Sequence, residues 1–184
     1  MAAYEILLNN LAPEGQTFIV DDQAVWTGPI SECGMDCRIL EPLEGKVTLL
    51  PQDEGCLVRG HLTGKVAVPC NRCAEDAILS INGSFDSFEP YPDAENEEAE
   101  KSFDNEADEL IVKKAANGAP VISLAGLLWE EFVLSLPVKP LCRPDCKGLC
   151  PQCGKNLNDG TCSCIREEGD PRLAALRGLK IKRN

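Results

Sequence analysis

Six cysteines crowd residues 142 to 164 in the order C-x3-C-x3-C-x2-C-x8-C-x-C, and Cys70 and Cys73 add a second C-x2-C upstream. Such a series limits the tail to a disulfide staple, a redox pair or a metal shell, and the compartment decides among these. The sequence opens MAAYEILLNNLAPEGQTFIVDD, and its first basic residue is Arg38. It therefore offers neither the basic n-region of a secretory signal nor an Arg-rich transit peptide. No apolar run nears the roughly 18 residues that span a bilayer. The expected location is the cytoplasm, away from membranes, where thiols stay reduced and clustered cysteines point to metal or catalysis.

The segment CPQCG at 150 to 154 has the form of a zinc knuckle. Two thiolates two residues apart reach one ion only if the chain turns between them, and the glycine that follows frees the backbone for that turn. Zinc takes four ligands in a tetrahedron, so the knuckle needs a second pair. Cys162 and Cys164 return to it across the polar loop GKNLNDGT. The spacing thus predicts one site from Cys150, Cys153, Cys162 and Cys164, and a second from Cys70, Cys73, Cys142 and Cys146. A cross-paired arrangement, with the two C-x2-C knuckles facing each other, stays open. One or two zinc ions are expected, and a closed four-thiolate site adds about 10 kcal/mol to folding. That offsets the small core a short tail can build. The competing reading is a thiol–disulfide oxidoreductase at CNRC or CPQC, but neither motif opens a helix after a strand. Cys33, Cys37 and Cys56 read as small strand residues.

The remaining pattern is that of an α+β fold. GMDCRIL, GKVTLL and CLVRGHLTGKVAV are strand-like, so the first ninety residues read as strands. Val58, Gly60, Leu62, Gly64, Val66 and Val68 share one parity, while Arg59, His61, Thr63 and Lys65 share the other. This is the alternation of a half-buried antiparallel strand. AILSINGSFDSF is its return across the turn PCNRC. The expected core is an antiparallel β-meander or open barrel with one packed helix. That helix is VISLAGLLWEEFVLSLP, capped by Ser123, buried along Leu124, Leu128 and Phe132, and ended by Pro137. ELIVKK reads as a short strand before it. Asp170 and Pro171 signal a short terminal helix, stopped by Gly178. The expected organisation is a β-rich core over 1–92, an acidic linker over 93–109, strand and helix over 110–140, and a cysteine-rich zinc tail over 141–184.

The net charge of −12 is unevenly spread. Residues 93 to 109 carry nine acidic side chains against Lys101, whereas residues 139 to 184 carry ten basic and five acidic ones. General adhesion to nucleic acid needs clustered Lys and Arg and is disfavoured. Four-thiolate sites are themselves negative, and Arg143, Lys147, Lys155 and Arg166 serve partly to balance them. No catalytic constellation is visible: His61, the single histidine, lies on a strand among polar neighbours, and no phosphate loop or dinucleotide fingerprint occurs.

VPCNRC on a hairpin, an acidic loop, LSLPVKPLC, RPDCKGLCPQCGKNL and then DPRLAALRGL follow one another in an order that resembles the YceD family of large-subunit ribosomal RNA accumulation proteins. The likeness spans about residues 56 to 178, and Cys70, Cys73, Cys142, Cys146, Cys150, Cys153, Cys162 and Cys164 stand at the family's cysteine positions. Some members of that family lack these cysteines, which implies that metal reinforces the fold. The resemblance implies a non-enzymatic accessory role in the synthesis, processing or stability of large-subunit ribosomal RNA. Two mechanisms compete. In one, the acidic surface docks a basic ribosomal protein or assembly factor. In the other, a zinc-ribbon tail contacts ribosomal RNA through its Arg and Lys residues. The charge favours the first.

Overall fold

The computed structural model describes residues 4–92, 111–116 and 118–164. In chain order they form β1 (Glu5–Leu7), a 3-10 turn (Leu8–Asn10), β2 (Gln16–Val20), α1 (Ala24–Glu32), β3 (Arg38–Pro51), β4 (Gly55–Pro69), β5 (Asp76–Pro90), β6 (Val112–Lys114), β7 (Pro120–Ser123) and α2 (Leu124–Ser135). The strands make two separate antiparallel sheets, one of order β2-β3-β4-β5 and one of order β1-β7-β6. The four-stranded sheet is the expected meander; the second sheet and the open edges replace the barrel alternative.

The β4–β5 hairpin is long and regular, pairing from Gly55↔Pro90 to Pro69↔Asp76, so that residues 70 to 75 form its tip. Alternation puts Val58, Leu62 and Val66 of β4 beside Leu43, Val47 and Leu49 of β3 in one buried layer. Gly60 faces Phe85 in the register, and a Cβ there would fall within 2.0 Å of the Phe85 ring, so the glycine leaves room for that aromatic.

Two helices, rather than one, cover this layer. The unexpected one is α1, whose AVWTGPISE contains Gly28 and Pro29 and so hides its helical period. Its Val25, Trp26 and Ile30 are nevertheless buried in the core. Tertiary burial overrides weak propensity here. Ser123 caps α2 as expected, its Oγ accepting from the Gly126 N–H at 3.1 Å. Leu124, Leu127, Leu128 and Phe132 then enter the same core, joined by Ile122 of β7 and Val112 of β6.

The β3–β4 register slips between Glu41 and Glu44, leaving Leu43 without a ladder partner. Gln23 fills that gap: its Nε2 donates to Leu43 O at 2.9 Å, and its Oε1 accepts from the Leu43 N–H at 3.0 Å. A side-chain amide thus stands in for a missing strand residue, satisfying a pair of buried backbone groups. The expected terminal helix and acidic linker lie outside the described residues.

Candidate metal centre

The tip of the β4–β5 hairpin is a knuckle built on backbone hydrogen bonds. The Cys70 N–H donates to Glu75 O at 2.8 Å and the Ala74 N–H donates to Cys70 O at 2.9 Å. The tail repeats the pattern eighty residues on: the Cys150 N–H donates to Lys155 O at 2.8 Å and the Gly154 N–H donates to Cys150 O at 2.9 Å. Each turn needs a left-handed residue after its second cysteine. Gly154 takes that place at φ 72°, and Ala74 takes it at φ 62°.

Around these turns the eight predicted cysteines gather into two groups, Cys70/Cys73/Cys142/Cys146 and Cys150/Cys153/Cys162/Cys164, with the sulfurs of each group within 4.8 Å of one another. Cys70 and Cys146 Sγ lie 3.8 Å apart, and Cys73 and Cys142 Sγ lie 3.5 Å apart. A disulfide would need about 2.05 Å. Four sulfurs at about 2.3 Å from a central zinc would stand about 3.8 Å from one another, so the spacing suits an ion rather than a bond. Pairing is local, and the knuckles do not face each other across one centre.

The hairpin group is the drier one. Cys70, Cys73 and Cys146 are buried and pack with Ala77, Val68 and Leu141 in a small cluster apart from the main core. In the tail group Cys150 is buried, Cys153 is exposed, and Cys162 and Cys164 are half-buried. Of the other cysteines, Cys33 follows α1, Cys37 precedes β3 and only Cys56 lies within a strand, so the expectation of three strand residues fails for two of them.

Hydrogen-bond donors surround the sulfurs. The Arg72 N–H points at Cys70 Sγ at 3.5 Å, and Asn158 Nδ2 donates to Cys146 Sγ at 3.3 Å. Burial opposes the Cys70 thiolate, but N–H groups of Cys142, Arg72 and Cys73 outweigh it and bring the thiol down to about 6. The Cys153 and Gln152 N–H groups, helped by the Cys162 thiol, hold Cys150 at about 6. The Asn158 amide lowers Cys146 in the same sense. Burial and the neighbouring sulfurs of Cys73, Cys146 and Cys70 push Cys142 up to about 12. Cys164 is also pushed up to about 12, first by the Cys153 sulfur and then by burial. The N–H donors thus favour ionisation of Cys70, Cys146 and Cys150, while burial and neighbouring sulfurs oppose that of Cys142 and Cys164. A divalent ion is what allows all four to ionise together.

The tail is also sewn to the hairpin by two backbone bonds and one from a side chain. The Asn71 N–H donates to Pro140 O at 2.9 Å, the Leu149 N–H to Arg72 O at 3.0 Å, and Arg72 Nη1 to Cys146 O at 2.8 Å. A Cβ on Gly148 would come within 2.9 Å of Arg72 O, so only glycine allows this approach. Sequence spacing pointed to the ligands and missed these supports. Asn158, Arg72 and Ala74 carry no motif of their own.

A family model described as large ribosomal RNA subunit accumulation protein YceD matches residues 58–180, a span that includes all eight grouped cysteines. The chain belongs to the YceD family. An uncharacterized protein of Mycobacterium tuberculosis is 32% identical over 123 residues, which cover 67% of this chain and 55% of the relative. An Arabidopsis thaliana protein named large ribosomal RNA subunit accumulation protein YCED homolog 1, chloroplastic, is 26% identical over 156 residues, 76% of this chain and 49% of its own. The chain spans about half the length of the curated relatives it matches. No solved structure matches it. The family description and the name of the Arabidopsis thaliana relative both speak of accumulation of the large ribosomal RNA subunit.

Outside the cysteine groups, His61 lies on β4 with its Nδ1 3.0 Å from Ser84 Oγ, on the sheet face away from the core. Among the described residues no helix is long and apolar enough to cross a membrane.

Proposed function

We propose that this YceD-family chain is a non-enzymatic accessory factor for accumulation of large-subunit ribosomal RNA, working in the cytoplasm, with two zinc ions as structural parts. Cys70, Cys73, Cys142 and Cys146 hold one ion; Cys150, Cys153, Cys162 and Cys164 hold the other. The observation that carries the reading is the closure of both donor sets. Four sulfurs complete a tetrahedron and leave no open position for water or substrate, which is the pattern of a structural rather than a catalytic zinc. The chemistry zinc supplies there is cross-linking of thiolates. The chain's own work is to present the four sulfurs, donate N–H groups to them and exclude water. A thiol oxidoreductase reading loses ground because each C-x2-C pair is committed to a four-sulfur group rather than poised alone.

The division of labour we propose follows the sequence: a β-rich core over 1–92, an acidic linker over 93–109, a strand and helix over 110–140 and a metal-bearing tail over 141–184. The working surface is acidic and docks a basic ribosomal protein or assembly factor. Support comes from charge. Around the two cysteine groups, exposed Arg72, Lys139, Arg143, Lys147 and Lys155 are offset by exposed Glu75, Asp76, Asp145 and Asp159. Two four-thiolate zinc sites add a formal −2 each, so this surface gains no positive field for RNA. The alternative, RNA contact by the tail, rests on the basic residues from Arg172 to Arg183.

Binding of purified large-subunit ribosomal proteins and of large-subunit ribosomal RNA tests both. Replacing Glu95, Glu97, Glu98 and Glu100 by Gln should weaken binding to a basic protein, and salt should do the same, since exposed charges are screened within about 8 Å at physiological ionic strength. Replacing Arg172, Arg177, Lys180, Lys182 and Arg183 should matter little. RNA bound by the wild type and lost on neutralising those five residues would overturn the docking reading.

A further inference from the structure

The loop that closes the tail group also reaches the hairpin group. Asn158 lies between Cys153 and Cys162 in sequence, yet its side chain belongs to the other centre. Its Nδ2 donates to Cys146 Sγ at 3.3 Å, while its Oδ1 accepts from the Lys147 N–H at 2.8 Å. The two contacts fix the amide's orientation. Turned over, it would set an oxygen against sulfur and an NH2 against an N–H. The loop itself is held in the matching position: the Asn158 N–H donates to Asn156 Oδ1 at 3.0 Å, and the Leu157 N–H donates to Gly148 O at 2.9 Å. Leu149 and Asn156 form a β-bridge that brackets the second knuckle. Cys146 and Cys150 are four residues apart on the segment that carries this bridge. Closing the loop around Cys150, Cys153, Cys162 and Cys164 therefore delivers a donor to a sulfur of the neighbouring group.

We propose that Asn158 is a positioning residue that couples the two metal sites, so that filling the tail site tightens the hairpin site. The inference rests on the two-ion reading given above. Donors to a ligand sulfur stabilise the thiolate and hold its orientation, and losing such a partner commonly weakens metal binding about 10- to 100-fold. Coupling of this kind is reciprocal, so an ion at the hairpin also strengthens the tail site. The exposed Cys153 makes the tail group the accessible one, and Asn158 carries its occupancy inward to the buried group.

Cadmium serves as the probe ion, since NMR gives each four-thiolate site its own cadmium signal, and chelator titration of the full chain gives an affinity for each. Emptying the tail site with Cys162→Ser and Cys164→Ser should weaken cadmium at the hairpin site about tenfold. Asn158→Leu should weaken it by a similar factor, and adding the two serines to that variant should bring no further loss. Asn158→Asp keeps the acceptor for Lys147 and removes the donor, so its hairpin site must weaken too. Asp159→Asn, in the same loop without a contact to sulfur, should leave both affinities unchanged. Two ions bound with hairpin affinity unchanged in Asn158→Asp would overturn the coupling alone, even if the Leu variant failed to fold. Strictly additive losses would do the same. A wild-type chain that takes up no cadmium would overturn the two-ion reading and the coupling with it.

Discussion

Ala74 occupies a position that geometry reserves for glycine. It follows Cys73 as Gly154 follows Cys153, and both have left-handed backbones with the same N–H to cysteine carbonyl bond. An L-residue there suffers contact between its Cβ and the backbone, costing about 1–2 kcal/mol. Glycine escapes that cost but gives up more entropy on folding. Ala74→Gly should therefore stabilise the hairpin tip by a net ~0.5–1 kcal/mol. A denaturation midpoint measured with metal bound checks this; a lower midpoint would show that the turn's conformation carries no strain. Cysteine identity was readable from spacing alone because two residues between ligands is a constraint of chain geometry. The left-handed residue was readable at CPQCG, where glycine stands, and invisible at CNRCA, where alanine does.

At the scale of elements, the long strands and α2 were legible because their burial pattern repeats every two residues or along one helical stripe. The α1 helix was not. Gly28 and Pro29 interrupt it, and only Val25, Trp26 and Ile30 enter the core. β7 was not read as a strand, since PVIS runs straight into LAGLL as one apolar stretch with Ser123 as the cap. The slip in β3 was also silent, because nothing in PLEG announces that Leu43 leaves the ladder. Its repair by Gln23 links α1 to the sheet through two hydrogen bonds. Gln23→Ala should leave the Leu43 N–H and C=O unpaired and lower stability by about 1–3 kcal/mol. Gln23→Glu, which keeps an acceptor and loses the donor, should fall between. Equal stability of all three by urea denaturation would mean that water replaces the amide freely.

At the scale of the whole molecule, the described chain has two cores that share a hairpin and little else. The larger is wholly apolar, from Leu8 and Trp26 through Val47 and Val58 to Phe132. The smaller contains Cys70, Cys73, Ala77 and Cys146, so three of its four buried residues are cysteines. An apolar core folds without help, whereas a group of four thiols repels itself once ionised and needs a cation to hold together. Removing metal should then act locally. A chelator at neutral pH should abolish hydrogen-exchange protection over residues 140–164 and at the hairpin tip from Cys70 to Glu75. The amides of Val47, Val58 and Leu62 should keep theirs, since their partners lie in β3, β4 and β5. Exchange that rises everywhere at once would mean that the two cores are one cooperative unit. Loss confined to the tail and the hairpin tip makes metal the clasp between a self-sufficient sheet and the segment that follows α2.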